Sequence, residues 1–399
     1  MGEWKERILR ELINIKHGYA FKGEFFSEIP NNNLLLTPGN FHIGGGFKDD
    51  KFKYYSGNIP NEYILSEGDV IVTMTDLSKA GDTLGYSAKI PRSEKNFLHN
   101  QRLGLVEIIS EEVDKDFIYW LLRTKSYQKN IVNSCSGSTV KHTSPTKIRD
   151  YSFLLPPLEE QKAIASVLSC LDAKIENLRK QNNTLEQIAQ TLFKHWFIDF
   201  EFPNTDGKPY KSSGGKMQSS VLGDIPVGWQ VGKLEDIVLL STGKGLEKSA
   251  LKDDGQYSVI GANGKIGKTD KFLIDYPVII TGRVGTIGII NISIKKVWIS
   301  DNTIIFSPSK NYFYYVYFWL KGTNLKVLNR GSTQPLITQG DLKKLEIFIP
   351  SDRIINEFKK ISTSLFNKKI KNEEQIQTLK NTRDTLLPKL MSGELRVKE

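Results

Sequence analysis

The sequence predicts a mixed α/β chain in which two similar globular domains are each followed by a long helix, a pseudo-twofold internal repeat. Three observations predict it. Residues 137–156 (GSTVKHTSPTKIRDYSFLLP) and 331–350 (GSTQPLITQGDLKKLEIFIP) write one device twice without a gap, at an offset of 194 (331 − 137). After the first copy, Ile164, Leu171, Leu178, Leu185 and Leu192 recur every heptad, with Leu168, Ile175, Asn182, Ala189 and Trp196 four positions after each, the seam of a coiled coil. After the second copy the seam returns as Phe358, Leu365, Leu379 and Leu386.

The elements follow in order. Residues 1–155 form the first domain, with short apolar runs such as Val70–Val72, Leu103–Val106 and Phe153–Leu155 broken by Gly, Pro and Asn, and one helix expected over 115–130. Residues 156–200 form the first long helix, about 50 Å from Ile164 to Trp196 at ~1.5 Å per residue. Asn182 falls at a seam position, where a buried Asn fixes register or partner; the alternative is that it faces water. Residues 201–228 are polar and rich in Gly, Ser and Lys, and read as an extended or mobile linker. Gly228-Trp229 then restarts the pattern of Glu3-Trp4, and residues 229–349 form the second domain. The Trp-to-Trp offset is 225 (229 − 4), so the second domain has lost 31 residues (225 − 194) upstream of its Gly-Ser-Thr element. Residues 350–399 form the second long helix and a tail. Ser362, Lys369, Asn372 and Arg383 make its seam polar, so it packs on the first helix or on another protein, and Pro388 ends or kinks it.

Composition narrows the function. The chain has 399 residues, a net charge of +10 and 39% hydrophobic residues, a soluble class whose charge suits a polyanion. Cys135 and Cys170, the only cysteines, cannot build a disulfide framework or a four-cysteine zinc site. The amphipathic, charged start MGEWKERILREL is unlike a signal peptide, and the longest apolar run, Phe313–Leu320, is too short to span a bilayer, so a cytoplasmic location is expected.

At this point the chain resembles the specificity (S) subunit of Type I restriction-modification enzymes. The residues that carry the resemblance are the Gly-Ser-Thr stretch leading to Leu155-Pro156-Pro157-Leu158-Glu159-Glu160-Gln161, the long helix after it, the linker Gly207–Gly215 and the closing Leu387-Pro388-Lys389-Leu390-Met391-Ser392-Gly393-Glu394-Leu395. The resemblance implies two target-recognition domains, one per half of a bipartite asymmetric site in double-stranded DNA, and an antiparallel coiled coil between them. It implies two adenine-N6 methyltransferase subunits as partners, with motor-nuclease subunits for cleavage. S-adenosylmethionine and ATP would then reside on those partners and no cofactor on this chain. One departure is visible: Ser351-Asp352-Arg353-Ile354-Ile355 replaces Pro157-Leu158-Glu159-Glu160-Gln161 in the second copy.

No motif points to catalysis. Leu155-Pro156-Pro157-Leu158 lacks the polar and aromatic neighbours that an amino-methyltransferase uses to hold a flipped base. Ala262–Thr269 nearly matches a phosphate loop but leads into the strand-like Tyr276–Ile280 instead of a helix. The five histidines have no metal-ligand spacing. The aromatic segment Phe313–Trp319 reads as a buried helix more readily than as a base-stacking platform. Candidate DNA ligands lie on glycine-rich or hydroxyl-rich loops. In the first domain they are Thr75, Lys79, Ser138, Thr139, Lys141 and His142; in the second they are Arg283, Thr286, Ser332, Thr333 and Gln334. Such groups suit phosphates and base edges, and equally serve as turn-stabilising or solvated side chains. The competing reading is a stand-alone bipartite DNA-binding protein, architectural or regulatory.

Overall fold

The computed structural model describes residues 3–397 apart from Lys79, Lys310, Ser332 and Thr333. The chain forms two compact units: unit 1 is Met1–Asn177 with Gln375–Glu399, and unit 2 is Leu178–Glu374. Each unit therefore takes half of each long helix into its own core.

Unit 1 is built on an antiparallel four-stranded sheet in the order Ile13–His17, Leu103–Ile108, Val70–Thr73, Ser87–Lys89. A five-stranded sheet beside it contains the parallel pair Asn33–Leu35 and Asn96–Leu98. Val70, Ile71 and Val72 are buried on both faces, which is why this run reads as continuous rather than alternating. Helices α1 (Lys115–Leu121), α2 (Lys125–Ser134) and α3 (Pro145–Arg149) follow. The single helix expected over 115–130 is thus two helices. Asp114 caps α1 through the Asp116 and Phe117 amides, and the Thr124 hydroxyl accepts from the Tyr127 amide to start α2. The break between them turns Arg123 into the interior. The strand Ser152–Leu155 pairs with Lys5–Ile8 and leads into α4 (Leu158–Phe197).

Unit 2 repeats the plan. Its antiparallel sheet runs Val238–Thr242, Thr303–Pro308, Val278–Gly282, Ile290–Ser293, and its second sheet holds the parallel pair Tyr257–Gly261 and Val297–Ile299. Helices α5 (Leu234–Ile237), α6 (Phe313–Gly322), α7 (Gln339–Lys343) and α8 (Asp352–Met391) complete it. The aromatic residues of α6 are core: Tyr315 and Phe318 are 1% and 2% exposed. Strand pairing shows where the second unit is shorter. The offset is 225 at Ile13/Val238, 209 at Thr73/Gly282, 203 at Ser87/Ile290, 200 at Gly104/Ile304 and 194 at Ser152/Glu346. Within the antiparallel sheet the loss falls between strands, in steps, and keeps the ladders in register, while the second sheet has three strands where that of unit 1 has five.

Residues 203–228, expected as an extended or mobile linker, carry the hairpin Met217–Ser220/Gly223–Pro226. Phe202 stacks between Tyr210 at 4.6 Å and Trp229 at 5.3 Å. A few well-spaced aromatics order a segment whose average composition is polar. In unit 1 the matching position, Arg396 (202 + 194), lies over Trp4 at 5.4 Å and forms an ion pair with Glu160, whose carboxylate also accepts from Trp4 Nε1 at 3.1 Å. Gln161 donates to the Glu112 and Pro156 carbonyls and accepts from the Asp114 amide. The same two positions in unit 2 are Ile354 and Ile355, both buried in an apolar core. The departure seen in the sequence is an exchange of a polar clamp for apolar packing. Pro388 does not end α8, which runs through it to Met391, because Leu387, Leu390 and Met391 are buried in the core of unit 1 and hold the last turn.

The long helices pair antiparallel, since rising numbers on α4 meet falling numbers on α8. Ile164, Leu168, Ile175, Leu178, Asn182 and Trp196 are buried, while Leu171, Leu185 and Leu192 are half-buried. On α8, Phe358 is buried and Leu365, Leu379 and Leu386 are half-buried. Asn182 does not face water: Asn372 donates to its carbonyl oxygen at 2.9 Å, and the two are 7% and 1% exposed. Each unit adds a charged rung. In unit 1, Asp172 accepts from Arg383 and Arg123, both at 2.5 Å. In unit 2, Glu186 accepts from Lys369 at 2.5 Å, Lys321 at 2.6 Å and the Tyr317 hydroxyl at 2.8 Å. Both rungs obey one register, since 172 + 383 and 186 + 369 are both 555.

Asn182→Leu leaves the buried Asn372 amide with only the long 3.5 Å bond to Gln181 Oε1, a cost of about 1–3 kcal/mol. Adding Asn372→Leu recovers most of it, so urea unfolding of the two single variants and the double variant shows strong positive coupling. Additive losses count against the pair as a unit. A pH dependence follows from Glu186. Burial acts to raise its pKa, but the hydrogen bonds from Lys321 and Lys369 win and hold it at about 2. Its folded pKa lies below the unfolded value, so its contribution is present above about pH 4.5 and is lost as pH falls toward about 2. Glu186→Gln should flatten the acid limb of thermal stability in that window; an unchanged slope refutes the assignment.

Candidate nucleic-acid interface

In each unit, the loops singled out in the sequence meet at one edge of the antiparallel sheet. The Gly-Ser-Thr loop closes on itself in the same way twice. The Ser136 amide donates to the His142 carbonyl at 2.9 Å, and the Arg330 amide to the Leu336 carbonyl at 3.0 Å. The loop then pairs with the chain leaving the central strand: Thr143 N to Met74 O at 3.0 Å in unit 1, and Ile337 N to Arg283 O at 3.0 Å in unit 2. Close approach makes the glycines obligatory. A Cβ on Gly137 would stand 2.0 Å from the Val140 carbonyl oxygen, and one on Gly331 1.8 Å from that of Gln334. Gly137 also has φ +92°.

In unit 1, Ser138, Thr139 and His142 are exposed and Lys141 is half-buried, so the loop presents hydroxyl, imidazole and ammonium groups together. Thr75 is different: it is 6% exposed, and its hydroxyl meets His142 Nδ1 at 3.2 Å. Its place is to orient His142 rather than to offer a surface of its own. Lys79 lies outside the described residues. The sequence reading missed Asp76, which shapes the neighbouring loop. Its carboxylate accepts from the Ser78 amide at 2.6 Å, the Thr83 amide at 2.5 Å and the Thr83 hydroxyl at 2.8 Å. Burial would raise its pKa, but those donors hold it below the usual carboxylate value. An Asp two residues before a Ser is the signature of such a turn.

In unit 2, Arg283 is exposed, anchored by its backbone to Asn302 and Ile337, and has no ion-pair partner among the described residues. Thr286 is half-buried, and its carbonyl would lie 1.7 Å from a Cβ on Gly282. Gln334 is exposed, with its amide nitrogen beside Gly285. Ser332 and Thr333 lie outside the described residues. Two further elements border this edge that the sequence reading did not include. Asn329 accepts from the Gly331 and Leu336 amides at 3.0 and 2.9 Å and braces the loop. The hairpin tip at Ala262 abuts Gly282, which brings the near phosphate-loop segment to the site as a β-turn followed by the strand Gly264–Thr269. Behind the tip, Gly243-Lys244 repeats Gly18-Tyr19: a Cβ on either glycine would stand 2.1 Å from a carbonyl oxygen, of Ser300 or of Asn100.

Among the described residues no group of three His, Cys, Asp or Glu side chains could hold a metal ion, and no helix is long and apolar enough to cross a membrane. His99 is buried under unit 1's sheet, where Nε2 donates to the Leu103 carbonyl at 3.0 Å and burial takes its pKa down to about 4. It is a core residue, remote in kind from a proton shuttle. Gly137→Ala should open the unit 1 loop while leaving the core intact. The expected result is faster tryptic cleavage after Lys141 with a thermal midpoint lowered by only a few degrees, from about 1 kcal/mol of local strain. Unchanged cleavage would show that the loop tolerates the Cβ.

The comparisons with known proteins agree with this geometry. A family model described as "Type I restriction modification DNA specificity domain" matches residues 1–187 and 226–381. The chain is 29% identical to the Type I restriction enzyme MjaIX specificity subunit of Methanocaldococcus jannaschii, covering 89% of this chain and 91% of that one. It is 26% identical to the HindI specificity subunit of Haemophilus influenzae, over 99% and 100% of the two chains. Its fold is similar to a crystal structure of a Type I restriction-modification system S subunit from M. genitalium, with a TM-score of 0.56, 19% identity and coverage of 97% and 96%. With two matched segments spanning both units, the chain belongs to the Type I restriction-modification DNA specificity family.

Proposed function

We propose that this protein is the DNA sequence-specificity subunit of a Type I restriction-modification complex, with each unit reading one half of a bipartite asymmetric site in double-stranded DNA. The observation that carries the reading is the duplicated edge, where two loops of hydroxyl, amide and cationic groups are held by the same backbone bonds in both units. Side chains differ while the frame is kept, as expected for two readers of different sequences. Near-complete coverage of curated specificity subunits favours a subunit over a stand-alone DNA-binding protein.

The chain itself performs no chemistry in this reading. Two adenine-N6 methyltransferase subunits supply methyl transfer from S-adenosylmethionine, and motor-nuclease subunits supply ATP-driven cleavage, in the cytoplasm. The paired helices act as the spacer between half-sites. Lys79, Ser138, Thr139, Lys141 and His142 serve one half-site and Arg283, Thr286, Ser332, Thr333 and Gln334 the other, with Thr75 positioning His142.

The test is the methylation pattern. Co-expressed with its methyltransferase, the wild-type chain should direct methylation to one bipartite motif, read by sequencing modified adenines. Arg283→Ala should relax one half of that motif. A bidentate guanine contact predicts a loss of about 1–3 kcal/mol at a single base pair. Relaxation of both halves together would mean that the two units form one composite site.

A further inference from the structure

Charge is divided unevenly between the two units. Residues 178–374 hold 28 Lys and Arg against 19 Asp and Glu, a net +9 (28 − 19). The rest of the chain holds 27 against 26, a net +1 (27 − 26), and the two sum to +10. The units are almost equal in length, 197 and 202 residues (399 − 197), so size does not explain the difference.

The excess reaches the candidate interface. Lys244 and Arg283 stand at the backbone positions that Tyr19 and Met74 occupy in unit 1, as the shared hydrogen bonds to residues 299 and 99, and to 302 and 102, establish. Lys265 follows the hairpin tip that abuts Gly282. All three cations are exposed, and among the described residues none has an ion-pair partner. The exchange is not entirely one way, since Arg102 and Lys141 of unit 1 correspond to Asn302 and Pro335, and Lys79 belongs to the same half-site. Each unit also sets an exposed acid among these loops, Asp82 beside Gly81 and Lys141 in unit 1 and Asp301 beside Gly245 in unit 2, so the imbalance lies in the cations and in the unit as a whole.

We propose that unit 2 is the electrostatic anchor of the protein on DNA. It supplies most of the phosphate contacts, with Lys244, Lys265 and Arg283 among them, and hence most of the salt-dependent, sequence-independent affinity. Unit 1 holds its half-site through contacts that release few counterions, so its share of affinity is the more sequence-dependent one. This rests on the reading of both units as DNA-binding.

The experiment uses the full-length chain assembled with its methyltransferase. Affinity is measured between low and moderate NaCl on a cognate duplex and on one with both half-sites scrambled. Lys244→Gln with Lys265→Gln should shallow the slope of log affinity against log salt by about 1.8, at ~0.9 per phosphate contact, equally on both duplexes. Lys244→Arg with Lys265→Arg should keep the wild-type slope, and thermal midpoints confirm that the variants are folded. The matching unit 1 change, Arg102→Gln with Lys141→Gln, should shift the slope by less than about 0.9. Equal shifts from the two pairs, or a larger one from unit 1, overturn the anchor. Failure of the functional reading looks different: wild-type protein binds cognate and scrambled duplexes alike, while the slopes still decide where the anchor lies.

Discussion

The structure depends on two half-buried carboxylates of α4, Asp172 in unit 1 and Glu186 in unit 2. Each is bonded at once to a cation on α8 and to one on its globular domain. Taking a carboxylate even partly out of water is costly unless cations and hydrogen bonds replace the lost hydration, and here two cations do so at each site. The helix pair and the globular domain of each unit therefore cannot separate independently: sliding α8 or tilting the domain strands a charge. Arg123 deepens the constraint in unit 1. Its guanidinium also donates to Tyr119 and to the Gly44 carbonyl and lies over Trp120 at 4.3 Å, so a surface loop, α1 and α4 converge on one side chain, and α8 joins them through Arg383 on the shared Asp172 carboxylate.

Apolar periodicity exposed the long helices, because a seam that repeats over several heptads has few alternative explanations. The duplicated Gly-Ser-Thr device was equally visible, and its glycines now have a steric cause at Gly137 and Gly331. Other features were hidden for definite reasons. The ordered segment after α4 is specified by Phe202, Tyr210 and Trp229 at wide spacing, so a composition window sees only Gly, Ser and Lys. The break between α1 and α2 is set by Thr124, a cap that looks like any polar residue until Arg123 is known to turn inward. Pro388 signals a stop in an isolated helix but not in one whose last turn is buried.

The candidate interface was legible at the level of loops and less so at the level of atoms. Two pairs of loops far apart in sequence were chosen separately, and the sheet brings each pair together. Thr75 illustrates the limit. A threonine beside a strand end reads as a surface hydroxyl, and only tertiary pairing with His142 makes it an orienting group. Asp76 and Asn329 were missed because both act on backbone amides nearby, a local duty that leaves no long-range pattern. Lys244 was missed because its equivalent, Tyr19, differs in chemistry and shares with it only the preceding glycine and a backbone hydrogen bond.

The two units also differ in continuity along the chain. Unit 2 is a single uninterrupted stretch, whereas unit 1 needs Arg383, Leu387, Leu390 and Arg396 from the other side of unit 2. During synthesis the later stretch can therefore reach its own core first, and the earlier one must wait with the apolar faces of Ile164 and Leu168 uncovered. The usual N-to-C order of domain completion is inverted. Contacts of such sequence separation are slow to form, because a long loop must close before they contribute. The waiting unit is thus the one exposed to misassembly and proteolysis, and synthesis of the segment after residue 374 is itself a condition for its stability.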